Sequence, residues 1–285
     1  MKKLFSIVLA ALMVAALFAG CGSSTAETKA PETTAAPAAA ETTAAPAETE
    51  APAETEAAAT FTTIEAGKLI MSTNAAFPPY EMVADDGSFE GIDVEIAGAV
   101  AAKLGLELVV DDMDFDAALL AVQQGKSDIV MAGVTVNEDR KMVMNFSDTY
   151  SKGVQVVIVK EGSDVTLDNL GDQMIGTQRG TTGYIYTSGD YGEDHVTAYD
   201  NGASAVQALM NGQVDCVVID SAPAQSFVEA NPGLVILDTE YTSEDYAIGM
   251  SKDNTALLDA VNAALAELTA DGTIPAIVEK YIPTK

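Results

Sequence analysis

Between Gly22 and Thr60 the chain contains no Leu, Ile, Val or aromatic residue. Ala, Thr, Glu and Pro dominate there. ETTAAPA recurs at Glu32–Ala38 and Glu41–Ala47, and AETEA at Ala47–Ala51 and Ala53–Ala57. Such a polymer buries too little apolar area to offset its chain entropy, so any packed core has to be built by Phe61–Lys285. Seven Glu against one Lys resist collapse of the segment. It is expected to act as a disordered tether spanning some tens of ångströms, at about 5–6 Å × √n. The whole chain is acidic, with 14 Lys+Arg against 43 Asp+Glu and a net charge of −29; residues 61–285 alone carry −25. There is no basic run beyond Met1-Lys2-Lys3, which argues against a nucleic-acid partner, because phosphate contacts need clustered Lys and Arg. Two cysteines, Cys21 and Cys216, make no disulfide framework, and the single His195 leaves no multi-histidine zinc site.

Lys2 and Lys3 precede Leu4–Gly20, 17 uncharged residues that stop at Cys21. That length is short for a bilayer span of roughly 20 residues and suits the apolar region of a secretory signal. Phe18-Ala19-Gly20-Cys21 resembles the lipobox of bacterial lipoproteins, with Phe18 in place of the usual Leu. The resemblance implies a signal peptide over 1–20, cleavage before Cys21, and lipid on its sulfur. It also implies an extracytoplasmic domain anchored to the bacterial cell membrane, with residues 21–60 as lipidated Cys plus tether. Each buried methylene contributes about 0.8 kcal/mol, so more than one acyl chain makes the attachment durable.

From Phe61 onward, short apolar runs alternate with 3.6-period segments. Leu69–Thr73, Leu106–Val110 and Asp128–Ala132 are predicted strands. Asp93 is expected to cap the helix between the first two, Asp116–Gln124 is the helix between the second and third, and Gly105 and Gly125 end these helices. A βαβαβ order implies a parallel sheet with right-handed crossovers. A second series follows, with strands at Val154–Val159, Met174–Thr177, Val214–Ile219 and Tyr246–Met250 and helices at Ala203–Asn211 and Thr255–Ala270. Two α/β units of this size predict two lobes, with ligands bound at the carboxyl ends of the strands.

Four stretches sit where chemistry would be expected. Thr135-x-x-Glu138 reads as a capping box after a strand, with Arg140 in the first turn of the helix, where the dipole disfavours a cation. A bound carboxylate removes that conflict, and backbone N–H groups, the Thr135 hydroxyl and the guanidinium would form its receptor. A solvated Arg on a helix face accounts for the same spacing. Asp220 ends an apolar strand, where it could receive an ammonium, cap the helix starting near Ala222-Pro223, or do both. Phe77 and Tyr80 flank Pro78-Pro79 and, with Phe115, could sandwich a side chain; core packing is the plainer alternative. Gln178-Arg179-Gly180-Thr181-Thr182-Gly183 is a strand-to-helix loop able to donate N–H and hydroxyl groups, and it is no P-loop, since no Lys-Ser/Thr follows. Asp111–Asp116 only superficially suggests a calcium loop: counting from Asp112, position 6 is Ala117 and position 12 is Gln123. His195 is expected in an exposed loop and Cys216 in the core. No metal, cofactor or catalytic group is expected.

Seven stretches in order, AAFPPYEM, GSFEGIDVEIAGAVAAKLG, DFDAALLAVQQGKSDIVMAGVTVNEDR, FSDTYSKG, GTQRGTTG, ALMNGQVDCVVIDSAPA and ALAELTADGTIPAIVEKY, resemble the polar amino acid solute-binding proteins of ABC importers. They run from about Lys68 to Tyr281. The resemblance implies an α/β, two-lobe periplasmic-binding-protein-like fold of type II. Each lobe would be a mainly parallel sheet flanked by helices, with two hinge crossovers near Lys152–Gln155 and Asp245–Ile248. Lobe 1 would be about 66–151 plus 248–285, and lobe 2 about 155–244, within a solute-binding domain of 61–285. Carried over by position, Arg140 would clamp the ligand α-carboxylate, with Ala132, Gly133, Thr135, Thr181 and Thr182 around it. Asp220 would take the α-ammonium. Phe77 and Phe115 would stack on the side chain, beside Asn74, Tyr80 and Gln178. Asn74 replaces the acid often found there in binders of basic amino acids, which favours a neutral polar ligand and leaves a basic one open. A monomer serving an ABC permease is implied. Two other readings stand beside it: an enzyme on the same fold, resembling cyclohexadienyl dehydratase, and an amino-acid sensor domain.

Overall fold

Residues 61–238 and 240–283 are described by the structure, a computed structural model. The signal segment, Cys21 and the tether lie outside these residues. Strand β1 (Lys68–Thr73) is followed by a small antiparallel sheet of β2 (Ala76–Phe77), β3 (Glu81–Val83) and β4 (Phe89–Glu90), and then by α1 (Ile92–Lys103). Next come β5 (Glu107–Asp112), α2 (Phe115–Gln123), β6 (Ile129–Val130), α3 (Glu138–Val143) and the long β7 (Met144–Lys160). After a 3-10 turn at Leu167–Asp172 the chain forms β8 (Ile175–Gln178), α4 (Thr182–Tyr191), β9 (Val196–Tyr199), α5 (Gly202–Met210) and β10 (Cys216–Asp220). It ends with α6 (Ser221–Ala230), β11 (Leu234–Ile236), β12 (Thr242–Ser251), α7 (Thr255–Ala270) and α8 (Thr273–Tyr281).

The main sheet runs β5-β1-β6-β12-β7-β10-β8-β9, with β11 also on β7. Its two ends are parallel, β5-β1-β6 in one lobe and β10-β8-β9 in the other. Between them β12 pairs antiparallel with Met144–Gln155 of β7, so the chain passes from lobe to lobe along two adjacent strands. Their register shifts at Tyr246/Ala247 and Ala247/Gly249, where irregular pairing weakens the ladder locally.

Each lobe has two cores, because successive strand side chains point to opposite faces. In lobe 2, Val156, Ile158, Val217 and Ile219 pack with Ala205, Leu209 and Phe227 of α5 and α6. The alternate residues Val157, Val159, Cys216 and Val218 pack with Leu170 and Ile175 on the other face. In lobe 1, Leu69, Met71 and Ile129 pack with α1 and α7, whereas Val130 packs with Phe115, Ala118 and Val122 of α2. With both faces covered by helices, the loops at the carboxyl ends of the parallel strands are left to meet between the lobes.

Several local expectations need correction. The strand predicted over Val154–Val159 begins ten residues earlier, because its more polar first half pairs with β12 rather than advertising itself by an apolar run. Asp93 does not cap α1, whose N-cap is Gly91; it lies in the first turn, fully buried, and accepts a 2.9 Å hydrogen bond from Gly133 N. Thr135 does not cap α3. Asn137 does, its side chain accepting from Arg140 N at 2.8 Å. His195 is half-buried at the end of a 3-10 turn rather than exposed.

Candidate functional site

A cavity lies between the lobes. Its walls come from the ends of β1, β6, β8 and β10 and the first turns of α2 and α4. Eleven of the twelve ligand-binding residues expected from the sequence face it: Asn74, Phe77 and Phe115; Ala132, Gly133, Thr135 and Arg140; Gln178, Thr181, Thr182 and Asp220. Tyr80 does not. It is 1% exposed within the lobe 1 core, stacks on Phe77 with ring centroids 5.8 Å apart, and shares a 3.3 Å hydrogen bond with the Ser151 hydroxyl.

Arg140 turns inward from the short α3. Its Nη1 donates to Thr135 O at 2.8 Å and its Nη2 to Gly180 O at 3.2 Å, and its guanidinium carbon lies 5.4 Å from the Phe115 ring centre. Two of five N–H groups are thereby used, leaving donors for an anion. Arg140 is 7% exposed, and among the described residues no carboxylate lies within ion-pairing distance of it. Burial pulls its pKa down, opposed mainly by the negative charge of Glu244.

Thr135, freed from capping, meets Thr182 hydroxyl to hydroxyl at 3.3 Å. Thr181 caps α4, accepting from Tyr184 N and donating to Gln178 O at 2.8 Å. Gln178 Nε2 donates to Asn74 Oδ1 at 3.0 Å, and Asn74 Nδ2 to Met113 O at 2.9 Å. Gly133 sits at φ 54°, and a Cβ there would come within 2.8 Å of the Phe77 ring, so this wall needs both glycine's backbone freedom and its lack of a side chain.

Asp220 serves as the N-cap of α6, Oδ1 accepting from Ala222 N at 3.1 Å, while Oδ2 accepts from Val154 N at 2.8 Å. Capping and facing the cavity are thus both true of it. Burial pushes its carboxyl up to about 6, against the lowering effect of those N–H groups and the Tyr246 hydroxyl. No cation pairs with it among the described residues.

The cavity also has walls that the motifs did not single out as site residues. Val218 lies two residues before Asp220 on β10, so strand alternation from Asp220 could have found it, whereas Ile219 is on the opposite face and Gln155 is reached only through the ladder pairing with Asp220. Tyr246 comes from β12, where no local motif marks it. Glu81 is a fully buried carboxyl in the cavity wall.

Comparison with known proteins adds three findings. The family model of bacterial extracellular solute-binding proteins, family 3, matches residues 69–284. The chain is 29% identical over 232 residues to ABC transporter arginine-binding protein 1 of Escherichia coli strain K12, covering 80% of this chain and 96% of that protein. Among solved structures, an ancestral arginine-binding protein is similar in two forms. The form bound to glutamine is 37% identical with a TM-score of 0.73, covering 76% of this chain and 99% of that one. The form bound to arginine is 38% identical with a TM-score of 0.72, covering 76% and 98%.

Proposed function

The chain belongs to the bacterial extracellular solute-binding proteins, family 3, and on that premise we propose that it is a receptor that closes around one free amino acid and delivers it to an ABC importer. One observation carries this reading. A buried guanidinium without a carboxylate and a buried carboxyl without a cation face the same cavity. Each is costly alone, and a zwitterion relieves both at once. The α-carboxylate goes to Arg140, Thr135 and the N–H groups near Gly133 and Thr182, and the α-ammonium to Asp220. Phe77 and Phe115 cover the side chain, which ends near Asn74, Gln178 and Glu81. These are amide and carboxyl groups, so they suit a side chain rich in N–H donors, whether amide or guanidinium. The relative solved with both glutamine and arginine supports that class.

The lobes of this receptor are about 66–151 with 248–285, and about 155–244. Arg140 stands on the first and Asp220 on the second, so the ligand head favours closure by differential contact. Hydrogen bonds from Arg140 to Gly180, between Thr135 and Thr182, and from Gln178 to Asn74 all cross between these segments, as a shut cleft requires. Lipid on Cys21 and the tether would hold a monomeric receptor outside the cell membrane; labelled fatty acid retained after Cys21→Ser would refute that anchor.

A thermal-shift screen of the twenty amino acids with cystine and ornithine tests the receptor. At least one amino acid with a side-chain amide, guanidinium or ammonium should raise the melting temperature, and a flat screen rejects the proposal. Glu81 is the one feature favouring an enzyme, since a buried acid in a cleft can donate a proton. Ligand recovered unchanged from prolonged incubation, by mass spectrometry, decides for the receptor.

A further inference from the structure

Beneath the side-chain end of the cavity lies a second group of acids. Glu81 of β3 and Asp93 of α1 are both fully buried and face each other. Neither Glu81 oxygen, nor Asp93 Oδ1, nor the Tyr150 hydroxyl of β7 has a hydrogen-bond partner of good geometry; Asp93 Oδ2 is held by Gly133 N. The groups acting on the pair from the packed elements are Asp112 of β5, Tyr80 and Tyr150, and no ion pair among the described residues includes either acid. Two ionised carboxyls cannot share such a place, so one keeps a proton. Burial and the neighbouring Asp93 charge push Glu81 well above the ordinary range; the Gly133 N–H stabilises an ionised Asp93 and no such donor reaches Glu81, so the proton belongs on Glu81. Glu81 is also the member of the pair that lines the cavity, with no hydrogen bond of good geometry to either of its oxygens.

We propose that Glu81 exchanges its proton for the cationic side chain of a bound ligand, so that the pocket accepts either a neutral side chain with Glu81 protonated or a cationic one with Glu81 ionised. The reaction is a plain ion exchange: the ligand cation enters, one proton leaves the Glu81 carboxyl for solvent, and the charge of the buried cluster with its occupant is unchanged. This explains how Asn74 and Gln178, which are neutral, and an acid without a partner can line one pocket. Below the Glu81 pKa, affinity for a cationic ligand should rise up to tenfold per pH unit, because binding releases a proton. Affinity for a neutral ligand should lack that component. Asp220 meets the α-ammonium of both ligands alike, so the difference between them isolates Glu81.

The inference rests on the receptor reading, and one experiment separates their failures. The full chain is titrated with L-arginine and with L-glutamine by calorimetry at pH 7, in phosphate and in Tris. The dependence of the heat on buffer counts the protons released. The expected result is close to one more proton released with arginine than with glutamine. In Glu81→Gln, arginine binding should weaken by at least about tenfold and lose that release. Arginine binding with the same proton count as glutamine overturns the exchange while leaving the receptor standing, and this wild-type measurement decides even if the variant does not fold. Glutamine binding without arginine binding overturns it as well, as does arginine binding without glutamine binding unless one proton is released. Failure of both, together with the flat screen above, overturns the receptor and the exchange together.

Discussion

Asp220→Asn separates what the cavity needs from what the fold would prefer. The carboxyl is 1% exposed and its pKa is pushed from 3.8 to about 6, chiefly by burial. Between those values the folded chain keeps a proton that the unfolded chain has released. Stability therefore declines as pH rises through that window, and above it the full penalty is present, up to about 3 kcal/mol. Asn is a neutral stand-in for the protonated acid, with one acceptor for the Ala222 or Val154 N–H. In urea unfolding of the ligand-free protein, the variant should match wild type within about 1 kcal/mol at pH 4 and exceed it by up to about 3 kcal/mol at pH 7. The same variant should lose at least tenfold in amino acid affinity, since the α-ammonium loses its charged partner. An equal stability difference at both pH values would refute the burial argument. Undiminished affinity would refute the assignment of the ammonium site.

Arg140→Ala should weaken amino acid binding at least tenfold by calorimetry, because the ligand carboxylate is left in the cavity without its guanidinium; near wild-type affinity would count against the clamp. Gly180→Ala should destabilise the chain by about 1–2 kcal/mol. Gly180 has φ 71°, and a Cβ there would fall 1.7 Å from Asp116 Oδ1. Asp116→Ala in the same chain should relieve the collision and leave the backbone strain, as denaturant melts of wild type, the single variant and the double variant would show. The Cys216 thiol is fully buried on β10 and pushed up to about 12 by burial. In a Cys21→Ser background, native protein should react with a disulfide reagent at least about a hundredfold more slowly than urea-unfolded protein; equal rates would place the thiol at the surface.

What the sequence determined alone is whatever short-range physics determines. Absence of branched and aromatic residues over 22–60 confines the core to the remainder. Helix α7 has the bounds expected, Thr255–Ala270, because apolar spacing, the Asn254 cap and the Asp271-Gly272 stop all act within a few residues. Arg140 after β6 and Asp220 at the end of β10 were legible for the same reason, as polar residues at the exits of apolar strands. Tertiary structure decided where two local solutions compete or where no local signal exists. Thr135 and Asn137 both satisfy a capping pattern; Asn137 takes the cap and the Thr135 hydroxyl meets Thr182, 47 residues away. Tyr80 and Phe77 flank the same prolines, yet the packing of Tyr246 against Tyr80 draws one ring into the core and leaves the other at the cavity. The position of Glu81 next to Tyr80 puts an acid near the pocket, but only the packing of α1, which brings Asp93 against it, and burial, which removes the water that would keep it charged, set its protonation. Closing the cavity joins residues 40 to 104 positions apart, as in the Arg140–Gly180 and Asn74–Gln178 hydrogen bonds. Periodicity and capping act over a single turn or strand, so they carry no information about such pairs, which exist only once the two lobes have packed.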